Sequence, residues 1–255
     1  FNLSISKRNI QIIIVVIGFS SFLYFSRTNC IQFGILYVGL KGYLKLNQKS
    51  LKVILFTVLV TIIGYTAIVY SNPRRQGKGI EAFLYKVKIA PEEAFKTKIN
   101  KDDWRDFNDN YRSFENIITA NQVSANGWRA VIFGEGLGCR LNLGKKVWSN
   151  DHEFIQFIPI VHNAYMTVFM KSGLIGVFFN IFFIVILFRQ PKSSLKSVNT
   201  VNLLLIGTSV FLIVSNWVFL GLYLKLDNKS MIIGFLIAYR ELLIRENNLK
   251  IIENE

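Results

Sequence analysis

Cysteine is scarce in this chain, with only Cys30 and Cys139 present. Two thiols make no disulfide framework, and no CxxC or Cys/His spacing of a zinc site occurs. Acidic residues are also few, 16 against 30 Lys and Arg, which leaves a formal net charge of +14. A nucleic-acid binder gathers such an excess on one soluble patch. Here the basic residues sit in short loops between apolar runs, so nucleic acid is not the expected partner. No signal peptide with a cleavage site is visible, and the first residue is Phe1 rather than Met, as in a piece of a longer protein. A dinucleotide fingerprint is missing too. The glycine-rich stretch Phe133-Gly134-Glu135-Gly136-Leu137-Gly138 is not GxGxxG, and no βαβ pattern surrounds it.

Apolar residues, in contrast, are abundant: 51% of the chain is hydrophobic and 22 residues are Phe. They bunch at 10–25, 31–44, 51–70, 161–188, 198–224 and 231–244. Spanning a bilayer takes about 20 apolar residues. The third, fourth and fifth runs qualify easily. The first is slightly short, and the second and sixth are interrupted by Lys41 and Arg240, which can snorkel to an interface. With the N-terminus inside, Lys7, Arg8, Lys41, Lys45, Lys49, Lys52, Arg189, Lys192, Lys196, Arg240, Arg245 and Lys250 fall on the cytoplasmic side. Only Arg27, Lys225 and Lys229 fall opposite. The positive-inside rule therefore predicts an all-α polytopic membrane bundle of about six transmembrane helices, with one large external loop containing helices. The division is 1–70 for the first three spans, 71–160 for the loop, and 161–255 for the last three spans and a cytoplasmic tail.

Within the loop, Trp104, Phe107, Tyr111, Phe114 and Ile118 recur at three- and four-residue steps, which predicts one amphipathic helix. Its polar face carries Arg105, Asn108, Asp109, Arg112, Glu115 and Asn116, and helical spacing sets Arg112 beside Glu115. A solvated face of weak ion pairs explains this as well as a site does. The alternate glycines Gly134, Gly136 and Gly138 permit a tight turn, or amides that line a phosphate or sugar pocket. Trp128 and Trp148 flank them as sugar platforms or interfacial anchors. The loop ends on Ile160-Val161-His162-Asn163-Ala164-Tyr165, where a polar segment enters an apolar run. Histidine is the one side chain whose unperturbed pKa lies close to neutrality, and a helix N-terminus favours anions. Lys171 lies about 13 Å further along such a helix. It sits either at the outer interface or, facing inward, where a lipid-linked phosphate enters.

In order, Ser26-Arg27-Thr28, Tyr111-Arg112-Ser113-Phe114-Glu115, the glycine turn, and Ile158 to Tyr165 followed by Lys171-Ser172-Gly173-Leu174-Ile175-Gly176 resemble the bacterial O-antigen ligase and polymerase superfamily. The second motif is similar to the Trp-Arg-Gly-Tyr-Glu run of one branch. That branch has Gly where Ala164 and Ser113 stand and Trp where Tyr111 stands. The resemblance covers nearly the whole chain, as the second half of a protein of roughly a dozen spans. It implies a GT-C-like glycosyltransferase of the bacterial inner membrane with its active site on the periplasmic face. The implied donor is a glycan on undecaprenyl pyrophosphate, and the acceptor a sugar hydroxyl on another glycan or on lipid A core. By the same resemblance Arg27 and Arg112 hold the pyrophosphate, His162 is the base, Glu115 assists, and Asn163 and Tyr165 contact substrate. No cofactor or metal is expected, since Asp102 and Asp103 are adjacent rather than a DxD pair. A lipid or solute transporter with a gating loop is the alternative, and an inactive assembly scaffold a third reading.

Overall fold

The computed structural model describes residues 6–23, 27–45, 47–148, 152–218, 220–222 and 229–252. Ser26, Lys225 and the side chain of Arg27 lie outside the described residues. The chain is mostly helical: α1 (Lys7–Leu23), α2 (Arg27–Leu40) and α3 (Gln48–Ser71) precede a polar insert of α4 (Ile80–Phe95), α5 (Trp104–Asp109), α6 (Tyr111–Ala125) and α7 (Trp128–Phe133). A hairpin of β1 (Leu141–Trp148) and β2 (Phe154–Ile158) then leads into α8 (Ala164–Phe188), α9 (Lys196–Val218) and α10 (Lys229–Ile252).

Three of these helices are long and apolar enough to cross a membrane: α3, α8 and α9, of 24, 25 and 23 residues. At 1.5 Å per residue each exceeds a hydrocarbon core of about 30 Å. The other three apolar runs fall short of that standard. Helices α1 and α2 have 17 and 14 residues, and α10 carries Arg240, Glu241, Arg245 and Glu246 from its middle onward. Arg240 is held by Gln190 and Glu241.

The apolar surface of α3 has little protein against it. Phe56, Leu55 and Leu59 are 67%, 60% and 55% exposed, a face that water would penalise and lipid tails would accept. Helix α3 starts where Asn47 caps it, its side chain accepting the Ser50 amide at 2.8 Å. Helix α9 lies between α8, α10 and α2. Gly39 and Gly207 let α2 and α9 approach closely, as a Cβ on Gly39 would sit 3.0 Å from the Gly207 Cα. Small residues at such crossings bring backbones into van der Waals contact. Leu187, Leu205 and Leu212 fill the seam, and Ile233 of α10 closes it.

The insert has its own core of Phe107, Phe114, Val123, Leu141, Leu143, Val161 and Met170. Phe107 packs edge-on against both Tyr111 and Phe114, with centroids 5.4 and 5.0 Å apart. The single amphipathic helix expected over 104–118 is broken at Asn110, whose φ of −117° starts a second helix. Asn110 is buried, and its amide donates to the Asp106 carbonyl and carboxylate at 3.0 and 2.8 Å. The break turns Trp104 away from the aromatic core, leaving it 68% exposed.

The hairpin is the only sheet among the described residues. It pairs Leu141 with Ile158 and Asn142 with Phe157, then shifts register before Val147 pairs with Ile155. Leu141 and Leu143 point inward and are fully buried.

Asp106 also accepts Lys96 Nζ and the Asn100 amide, each at 2.8 Å. The Lys96 hydrogen bond, then the Asn100 amide, hold its carboxyl below the ordinary value of 3.8. A depressed carboxylate stabilises the fold above its unfolded-state pKa, and that stability is lost as pH falls through the folded value. Melting temperature followed from pH 7 downward should therefore drop on acidification below 3.8. D106N should melt lower at neutral pH and show a shallower acid limb, and an unchanged limb would remove Asp106 from this role.

Candidate functional site

The candidate site is built on the N-terminal half of α6 and the segment that enters α8. Glu115 is 1% exposed. One of its oxygens, Oε2, accepts the His162 backbone N–H at 2.8 Å and lies 2.9 Å from His162 Nδ1. A carboxylate at that position selects the Nδ1–H tautomer and leaves the Nε2 lone pair outward. The His162 side chain is 45% exposed, so that lone pair is accessible. The Tyr111 ring meets the imidazole edge-on at 5.9 Å. Burial, then the charge of Glu115 and a hydrogen bond to it, push the Tyr111 hydroxyl well above its ordinary value of 10. Tyr111 therefore stays a neutral donor beside the carboxylate.

The loop carrying His162 is fixed on both sides. Val161 is fully buried. Its amide donates to Thr167 Oγ1 at 3.2 Å, and that hydroxyl donates back to the Val161 carbonyl at 3.2 Å. Asn163 caps α8 by accepting the Met166 amide at 3.2 Å. It is 2% exposed, and its Nδ2 has no hydrogen-bond partner among the described residues. Tyr165 is half-buried and packs with the α8–α9 seam.

Arg112 does not pair with Glu115 as helical spacing suggested. Its Nε lies 3.3 Å from Glu93 Oε1 on α4. Positions three apart on a helix diverge by about 60°, and here they reach different neighbours, α4 and the α8 entry. Arg112 instead lines a cleft of about 560 Å³ with Arg75, Tyr85, Glu93, Trp104 and Asp109. Among the described residues no hydrogen bond or ion pair joins Arg112 to His162 directly. Local spacing could not reveal Glu93, because it arrives from another helix. Arg75 and Trp104 were missed as a pair for the same reason: the guanidinium that lies 4.8 Å over the indole arrives from the segment between α3 and α4.

The glycine turn has a structural task. The Glu135 and Gly136 amides donate to the Met170 and Lys171 carbonyls at 2.8 and 3.1 Å. Those carbonyls are freed because α8 breaks at Gly173, with φ 63° and ψ −162°. A Cβ on Gly134 would lie 2.3 Å from the Ser172 amide nitrogen, and one on Gly173 2.2 Å from the Ile132 carbonyl oxygen. Two amides offered by the motif for a phosphate are thus spent on α8. Lys171 completes the junction, donating to the Leu137 and Cys139 carbonyls at 2.7 and 3.3 Å. Trp128 and Trp148 stay exposed, and Trp148 pairs edge-on with Phe154 at 4.8 Å.

Folded yield after heating in detergent tests this junction. G134A and G173A each add a clash against backbone to a left-handed φ, and should cost about 2–5 kcal/mol. G136A meets open space at φ 98°, so it should cost only about 1–2 kcal/mol of strain. Equal losses for the three would show that backbone approach is not the constraint.

Helical architecture and three membrane-length helices make the chain compatible with a membrane protein. The chain matches no family model, no curated protein and no solved structure.

Proposed function

We propose that this chain is the glycan-transferring part of a membrane glycosyltransferase that uses a polyprenyl-pyrophosphate-linked donor. The observation that carries the reading is the buried Glu115 carboxylate orienting an exposed imidazole at the mouth of a membrane-length helix, one turn of α6 from Arg112. A histidine so oriented is a general base in search of an acidified hydroxyl. The acceptor O–H gives its proton to His162 Nε2 as its oxygen bonds to the donor sugar's anomeric carbon. The bond from that carbon to the phosphate oxygen breaks, and its electron pair leaves with the lipid pyrophosphate. Guanidinium presents planar, bidentate donors to such an anion. Arg112 fills that part, with its Nη atoms free of hydrogen-bond partners among the described residues and Glu93 at Nε. Arg27 is the second pyrophosphate contact that the resemblance to O-antigen ligases and polymerases suggests. Asn163 contributes by capping α8 and fixing the loop, and Tyr165 by packing beside it.

The same reading places the protein in the bacterial inner membrane, the site on the periplasmic face, and the acceptor on a growing glycan or on lipid A core. A transporter would turn on Lys171 finding an intramembrane counter-ion. Lys171 is instead occupied by the backbone carbonyls of the glycine turn, which favours the transferase.

Transfer from a lipid-linked donor should fall at least about 100-fold in H162A, the usual scale for a lost general base. R112A should lose a comparable factor and R112K should recover only part of it. E115Q should lower transfer while leaving the protein folded. H162A and R112A that both retain transfer at normal expression would refute the assigned roles. In cells, loss of function that strands full-length glycan on its carrier marks a ligase, while single repeats on the acceptor mark a polymerase.

A further inference from the structure

A second concave region lies beside the Arg112 cleft. It has a volume of about 700 Å³ and is lined by Arg74, Arg75, Gln76, Gly77, Lys78, Glu81 and Arg105. The two clefts share Arg75 and Gln76, so they form one trough from Lys78 and Arg105 to Arg112. The trough begins three residues beyond the end of α3, at the rim of a membrane-length helix.

Its charge is lopsided. Arg74, Arg75, Lys78, Lys86, Arg105 and Arg112 line the trough against three carboxylates. Those carboxylates have their own duties. Glu81 takes Arg74 at 2.9 Å, Asp109 takes Arg75 at 2.9 Å, and Glu93 faces Arg112. Lys78 and Arg105 have no acidic partner among the described residues. Six cations against three carboxylates give the lining a net charge of +3 in a concavity, where field lines concentrate on an incoming anion.

One of the six cations is held in place rather than free to wander. Arg75 donates through Nε and Nη2 to Asp109 Oδ1 at 3.1 and 2.9 Å. Tyr85 holds the other oxygen of that carboxylate at 2.8 Å, and the Trp104 face covers the guanidinium. The arrangement leaves Arg75 Nη1 without a partner among the described residues. A fixed guanidinium loses little freedom on binding, which favours recognition of a planar carboxylate or a phosphate. The exposed Trp104 ring beside it is a surface on which a sugar ring can stack.

We propose that this trough binds the acidic groups of an anionic glycan, uronate carboxylates or phosphate substituents, away from the pyrophosphate. The inference rests on the transferase reading for its role as a glycan subsite, but binding is measurable without turnover. The trough grips acidic units through Arg75, Lys78 and Arg105 while the neighbouring Arg112 is left for the donor's leaving group. It makes this a transferase of acidic rather than neutral polysaccharide.

The test uses the full chain in nanodiscs of zwitterionic lipid, titrated with tetragalacturonate and with maltotetraose of the same length. Tetragalacturonate should bind at least about tenfold tighter, and its affinity should fall as salt is raised. The double variant K78Q/R105Q should weaken it by about tenfold, and R75Q by a similar factor. Melting temperatures of the variants confirm that they fold. Equal binding of the two oligosaccharides, or a K78Q/R105Q variant that binds like the parent, overturns the proposal. So does binding confined to anionic-phospholipid vesicles, which assigns the trough to lipid headgroups. If tetragalacturonate binds as described but the parent protein transfers no glycan, the transferase reading falls and the anionic site stands. The opposite pair of results removes the acidic specificity and leaves transfer intact.

Discussion

A carboxylate withdrawn from water must be met by donors or it destabilises the fold that buries it. Glu115 is the case in point. It meets that requirement with the amide and ring of His162, 47 residues away in sequence, and with the hydroxyl of Tyr111. One buried group therefore ties α6 to the loop that enters α8 and decides which imidazole nitrogen faces outward. Breaking that tie leaves a buried carboxylate short of a donor, at a cost of about 1–3 kcal/mol. Position and chemistry thus come from the same contact.

The second tie is made of backbone alone. Helix α8 is continuous in sequence but serves two environments. Above Gly173, Met170 is buried in the core of the insert, whereas below it Phe178, Phe179 and Phe182 are more than half exposed. The kink releases carbonyls that the glycine turn and Lys171 satisfy, so the break costs few hydrogen bonds. About 24 Å of regular helix remains from Gly173 to Phe188. The insert is consequently packed where the apolar stretch of α8 beyond Gly173 begins, and His162 is held at the N-terminal end of that helix.

Much of this was legible from residue order. Apolar runs became helices, and the 104–118 periodicity marks real helix. The periodicity overran Asn110, since a pattern of apolar positions does not register an asparagine that turns back on Asp106. Six spans were expected and three helices reach spanning length and apolarity. Helices α1 and α2, of 17 and 14 residues, are as short as the apolar runs at 10–25 and 31–44 that marked them, and α10 carries Arg240, Glu241, Arg245 and Glu246 from its middle onward. The hairpin was missed because only Leu141 and Leu143 alternate cleanly before Gly144 and two lysines. Partners from distant elements were beyond reach altogether. Spacing placed Arg112 beside Glu115, yet Glu93 and His162 came from elsewhere and drew the two apart.

The orientation of one imidazole is the most direct measure of this account. The chain has two histidines, His152 and His162, so nitrogen resonances from a 15N-histidine sample are assignable with a single H152 substitution. At about pH 8.5, where an imidazole is ordinarily neutral, His162 should show a protonated Nδ1 and an unprotonated Nε2, and E115Q should disturb that pattern. A His162 that carries its proton on Nε2, with a spectrum indifferent to Glu115, would contradict the account.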